Sequence, residues 1–183
     1  NGNAYTVASY NGIKNLRIRD GVTTIEASAF TNNTILESII IPEGVVSIGD
    51  YAFFGCSSLT SITIPKSVTS IGSDAFYDCY NLTDIYITDL AAWCNIYRYS
   101  YASNPMNTDV AKNLYLNNEL VTDLVIPEGV TTIELGQFMN CISLTSVTVP
   151  NSVTAIYDSA FSNCYDLTSV TIPDSVTSIG ERA

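Results

Sequence analysis

The chain has 183 residues, 46% of them hydrophobic, with a formal net charge of -11 and no histidine. Such an apolar fraction supports a sizeable core, and the acidic balance sets the surface against phosphate backbones and anionic membranes, so nucleic acid is not an expected partner. Lack of histidine removes Ser-His-Asp and Cys-His nucleophile arrangements and histidine-based zinc sites.

At the N-terminus, "YTVASYNGI" (residues 5–13) reads as a strand with an Asn-Gly hairpin turn after it, suited to cap the first unit of the chain. Ile13, Leu16 and Ile18 then open a pattern that recurs down the chain. Pro42 and Pro65 lie 23 residues apart, and so do Pro127, Pro150 and Pro173. Six residues before each proline stands Leu36, Leu59, Val121, Leu144 or Leu167. Three and six after it stand pairs such as Val45 and Ile48, or Val153 and Ile156. Aromatic rings come next at Phe53, Phe76, Phe138 and Phe161, and thiols at Cys56, Cys79, Cys141 and Cys164. Asn33 takes the thiol place in the first unit.

A fixed period of this length signals a solenoid, because one coil cannot bury enough apolar surface to offset its ordering entropy and must stack on its like. "Leu-x-x-Ile-x-Ile-Pro" ends in period-two alternation and predicts a short strand that proline stops. "Val-x-x-Ile" predicts a second short extended segment. "Gly-x-x-Ala-Phe-x-x-Cys" predicts a turn with one helical turn carrying Phe and Cys inward.

The rhythm breaks between Ile87 and Val121. Thr88 or Asp89 is placed to N-cap a short helix running to Cys94, with Leu90 and Trp93 on one face. Asn104-Pro105 marks a turn. "LYLNNELV" (residues 114–121) predicts a hairpin, since asparagine tolerates the left-handed conformation its turn needs. After Val121 the repeats resume and stop within a coil at Ala183, as in a fragment or processed chain that lacks a leader. No apolar run approaches the ~18 residues of a membrane span, so membrane insertion is not expected.

The long motif "Leu-x-x-Ile-x-Ile-Pro-x-x-Val-x-x-Ile-Gly-x-x-Ala-Phe-x-x-Cys" resembles the BspA-like, or Treponema pallidum-type, bacterial leucine-rich repeats over about six units. The resemblance implies a right-handed, curved solenoid of leucine-rich repeats, mainly β with short helical turns. It would form one domain over 1–183: a capping strand at 1–12, repeats over 13–87, an insertion over 88–120 and repeats over 121–183, the last truncated. The resemblance further implies a secreted or cell-surface protein of a host-associated bacterium that adheres to a host protein or glycan. It implies no enzyme and no cofactor.

The repeated thiols Cys56, Cys79, Cys141 and Cys164 are expected as small buried groups; disulfides between adjacent coils are the alternative, at a stacking distance of about 4.8 Å. No metal site is expected, because no Cys-x-x-Cys pair or tight acidic cluster occurs. Candidate ligand-binding residues are Tyr97, Arg98, Tyr99 and Tyr101, an amphipathic loop of hot-spot residue types, with Asp84, Tyr86 and Asp123 on the adjacent strand face. Covering the broken core is the competing role for those rings. The whole chain as a structural spacer within a larger cell-wall-attached protein is the competing function. A carboxylate-based glycan hydrolase would need two acids across a cleft that the repeat does not offer.

Overall fold

The computed structural model describes residues 12–107 and 110–183; the N-terminal hairpin expected at 5–13 lies almost wholly outside them. The chain winds as seven coils, each with two short strands. Coils one to three carry β1 (Asn15–Arg17) and β2 (Thr24–Ile25), β3 (Ser38–Ile40) and β4 (Ser47–Ile48), and β5 (Ser61–Ile64) and β6 (Ser70–Ile71). The fourth carries β7 (Asp84–Ile87), α1 (Leu90–Cys94) and β8 (Tyr97–Arg98), and leads into a hairpin of β9 (Asn113–Leu116) and β10 (Glu119–Leu120). Coils five to seven carry β11 (Asp123–Val125) and β12 (Thr132–Ile133), β13 (Ser146–Thr148) and β14 (Ala155–Ile156), and β15 (Ser169–Thr171) and β16 (Ser178–Ile179).

First strands pair in parallel with first strands and second with second, as Ser38 does with Ser61 and Ser47 with Ser70. The inward residues are those the period picks out. Leu59, Ile62, Ile64, Val68, Ile71, Phe76 and Cys79 of one coil are all buried, and the same positions of successive coils merge into one core. Each repeat proline closes the turn between the two strands, its carbonyl accepting from the valine three residues on, as from Val68 at 3.1 Å. In the last coil the register holds, and Val170, Ile172 and Ile179 stand exposed.

The third side is not helical in the regular coils, contrary to the expectation of a helical turn there; only the fourth coil has a short 3-10 helix on that side, at Tyr101–Ser103, among the described residues. In coils one, two, three, five and six, two residues of this side sit in the left-handed region, such as Tyr51 and Gly55 (φ 56° and 68°) or Ser159 and Asn163 (φ 55° and 62°), and they break any right-handed turn. The segment is a string of tight turns instead. Alternate N–H groups reach across to the next coil, Tyr51, Phe53 and Gly55 donating to Ser73, Ala75 and Tyr77 at 2.8–2.9 Å. This side therefore ties coil to coil as firmly as the strands do. Its rings stack in register, with Phe30–Phe53 and Phe53–Phe76 centroids 5.2 Å apart and Phe138–Phe161 5.5 Å apart.

The interrupted stretch is a longer coil plus a hairpin. Asp84 pairs with Asn113, a step of 29 residues in place of 23. The helix α1 forms where expected: Asp89 accepts from the Ala92 N–H at 2.8 Å, and Trp93 is fully buried. Tyr97 and Arg98 then pair with Ser70 and Ile71, continuing the second sheet. The hairpin also forms as expected, its turn residues Asn117 and Asn118 both left-handed (φ 52° and 68°). It closes the first sheet with an antiparallel strand, so the sheets of coils five to seven begin afresh.

Candidate functional site

The seam between the fourth and fifth coils is where the chain departs most from its own repeat. In the second sheet β8 pairs with β6 and β12 with β14, but β8 and β12 do not pair with each other. Polar side chains join the two stacks instead. Asn104 donates to the Gly136 carbonyl at 2.9 Å and Asn140 to that of Met106 at 3.2 Å, while Gln137 donates to Trp93 O at 3.2 Å. The buried Lys112 donates its ammonium to the Leu82 carbonyl, and its backbone bonds to Asn140 and Ile142. Burial pushes the pKa of that ammonium down to about 8.

Arg98 occupies the place of the inward isoleucine of β6. Its guanidinium lies 4.6 Å over the Trp93 ring and donates to Trp93 O, Ile96 O and Gln137 Oε1 at 3.2–3.3 Å. Burial lowers its pKa. It is thus a structural group of the seam, and a contact residue only at its edge. The tyrosines around it face outward: Tyr97 and Tyr99 are each 62% exposed and Tyr101 41%. Tyr97 and Tyr99 meet edge to face at 4.8 Å, and the Tyr101 hydroxyl donates to Met139 Sδ across the seam. Together with Cys94, Thr132, Glu134 and Leu135 they line a groove of about 490 Å³. Thr132 donates to Glu134 Oε1 at 2.6 Å, holding that carboxylate at the rim.

The other candidates do not join this groove. Asp84 and Tyr86 lie on β7 in the first sheet. There Asn113 donates to Asp84 at 2.9 Å, and Tyr86 stacks on Tyr115 with centroids 4.5 Å apart. Asp123 begins β11 beyond the hairpin, accepting from Ser146 at 2.6 Å and Thr122 at 3.1 Å, and these bonds hold its carboxyl below the usual range. Sequence reasoning missed Tyr115, Glu134 and Leu135. A weak signal existed for the last two: Ile133 is followed by glutamate where Ile48, Ile71 and Ile179 are followed by glycine, although Glu26 and Tyr157 depart in the same way.

The repeat thiols are free and buried, as is Cys94. Cys56, Cys79 and Cys164 donate to the carbonyls of Phe30, Phe53 and Phe138 in the preceding coil at 3.1–3.2 Å. Each thiol thereby adds a second donor to a buried carbonyl that already accepts the N–H of Asn33, Cys56 or Cys141 within its turn. Asn33, in the same place, instead caps the N–H groups of Ile35 and Leu36. Among the described residues no group of three or more His, Cys, Asp or Glu is placed to hold a metal ion.

A stack of parallel-strand coils around a continuous core defines a solenoid of the leucine-rich-repeat class, a fold that offers binding or scaffold surface. The model of the BspA type leucine-rich repeat region matches in six copies over residues 3–107 and 108–183. The chain belongs to that family. No curated protein matches it. Among solved structures it is similar to a T. pallidum leucine-rich repeat protein (26% identity over 91% of this chain and 73% of that one, TM-score 0.55). It is similar to a leucine-rich cell surface protein from Faecalibacterium prausnitzii A2-165 (32% identity, 93% and 44% covered, TM-score 0.56). A leucine-rich repeat protein from Eubacterium ventriosum ATCC 27560 stands at 31% identity with 92% and 41% covered, TM-score 0.56. The chain thus spans less than half the length of the latter two.

Proposed function

We propose that this chain is the ligand-engaging part of a bacterial cell-surface protein, binding a host protein or glycan at the seam. The observation that carries the reading is the concentration of departures from the repeat in one place. Three outward tyrosines and a groove of about 490 Å³ stand there, within the ~300–1,000 Å³ typical of ligand pockets. Tyrosine offers large, rigid, amphipathic contact area at small entropy loss, as at binding hot spots. Membership of the BspA-type family and likeness to a cell surface protein support the location. The outward pair Ser61 and Thr63 of the third coil returns as Ser146 and Thr148 in the sixth and as Ser169 and Thr171 in the seventh, a plain polar face on three coils. That uniformity favours a second reading, a spacer within a longer surface protein.

Screening the chain against arrayed extracellular-matrix proteins and glycans separates the two. Changing Tyr97, Tyr99 and Tyr101 together to serine is expected to weaken a binding partner at least about 30-fold, as loss of a hot-spot cluster does, with melting unchanged. Binding kept in full by the variant moves the site to Tyr86 and Tyr115 on the first sheet. Absence of any partner for either chain favours the spacer.

A further inference from the structure

The second sheet has an open edge on each side of the seam, and those edges carry unused strand groups. In regular coils two N–H groups of each second strand reach back to the coil before: Thr69 to Val46 O and Gly72 to Ile48 O, Thr154 to Thr131 O and Tyr157 to Ile133 O, at 2.8–2.9 Å. The equivalent groups of β12 are the N–H of Thr131 and of Glu134, and among the described residues neither has a partner. The Thr131 hydroxyl is likewise unbonded among them, whereas those of Thr69, Thr154 and Thr177 each bond a carbonyl of the preceding coil. On the opposite edge Arg98 O receives no N–H from the described residues, while its counterpart Ile71 O receives that of Tyr99 at 3.2 Å.

Unpaired edges template strand addition. We propose that the groove between β8 and β12 receives an extended, lysine- or arginine-bearing peptide segment of the partner, which adds as the missing strand of the second sheet. This rests on the reading of the seam as the partner-binding region. Carbonyls of peptide residues i and i+2 take the N–H groups of Thr131 and Glu134, as those of Val46 and Ile48 take Thr69 and Gly72. One peptide N–H donates to Arg98 O. Side chains of alternate residues lie over Tyr97, Tyr99 and Leu135, which line the groove. The basic character follows from the net charge of -11 and from Glu134 at the rim, since the Arg98 guanidinium is turned inward onto Trp93 and backbone carbonyls.

Amide hydrogen exchange on the intact chain tests this. In the free protein the Thr131 and Glu134 amides exchange much faster than those of Thr154 and Tyr157; equal protection of all four overturns the proposal. The probe is a mixed heptapeptide library with lysine at alternate positions and Val, Thr or Tyr between. At a concentration tenfold above its dissociation constant, a bound member slows the Thr131 and Glu134 amides about tenfold. No slowing at millimolar peptide overturns the proposal, as does equal slowing by a library with glutamate for lysine. Slowing by chito-oligosaccharide but not by peptide also overturns it, in favour of a glycan occupant. The proposed function fails separately. A matrix protein whose binding the serine variant abolishes, but which leaves the Thr131 and Glu134 amides unprotected, keeps the seam as binding site and removes strand addition.

Discussion

Raising the pH from 8 to 10 is expected to destabilise this protein. Burial pushes the thiols of Cys56, Cys94 and Cys164 up to about 12 and raises those of Cys79 and Cys141. A thiol in the unfolded chain ionises near 9, whereas the folded one keeps its proton. The stabilisation is therefore complete below pH 9 and is lost as pH rises toward 12. Each such thiol removes about 1.4 kcal/mol per pH unit in that window. Lys112 acts in the opposite sense: its folded pKa is lowered to about 8, so its desolvation penalty fades between pH 8 and 10.5. Arg98 opposes only at the upper end, its pKa lowered to about 10. Five raised thiols against one lowered lysine leave a net loss of stability as pH rises above 9. Melting temperature is expected to be level from pH 7 to 8.5 and to fall toward pH 10, with Cys56→Ala softening the slope by about one thiol's share. A thiol reagent at pH 8 is expected to label no cysteine until denaturant is added. Melting that stays flat to pH 10, or labelling in the folded state, contradicts the thiol column as described.

Replacing Phe53 by alanine is expected to lower stability by about 4–5 kcal/mol, the upper range for a buried ring. Phe53 is fully buried and stacks on both Phe30 and Phe76, so its removal leaves a cavity and breaks two ring contacts. It also loosens the joint between the second coil and both of its neighbours. Phe161→Ala is expected to cost about half as much, because that ring is 9% exposed and stacks only on Phe138. Denaturant titration of both variants checks the order. An equal or larger loss at Phe161 contradicts the picture of a stack held most firmly where a coil is covered on both sides.

Much of this architecture was legible because burial dictates period. Leu59, Ile62, Val68 and Ile71 recur where a 23-residue coil must face its core, and proline can only stand where a ladder ends. The Asp89 cap and the Asn117-Asn118 turn were legible for local reasons, since each residue answers a backbone need of its own neighbours. Three things were hidden. The tight-turn ladder on the third side depends on left-handed residues as unlike as Tyr51, Asp74 and Ser159, which no local propensity announces. The second-sheet strand at Tyr97–Arg98 was hidden because an arginine stands where the pattern asks for an inward isoleucine. Only its contacts with Trp93, Ile96 and Gln137, the last of them 39 residues away, make that place habitable. The grouping of the candidate site was hidden because it depends on which sheet a residue joins. Tyr86 and Tyr97 are close in sequence, yet one extends β7 of the first sheet and the other β8 of the second. The groove is completed by Glu134 and Leu135 from the coil beyond the hairpin.

The seam as binding surface is tested most directly by footprinting the tyrosines of the chain with and without a matrix protein captured in the array screen. Tyr77, Tyr80 and Tyr165, exposed at 50%, 58% and 81%, serve as internal controls away from the groove. The expected result is protection of Tyr97, Tyr99 and Tyr101 with the controls unchanged. Protection of Tyr80 or Tyr165 while the three seam tyrosines stay reactive would contradict the account.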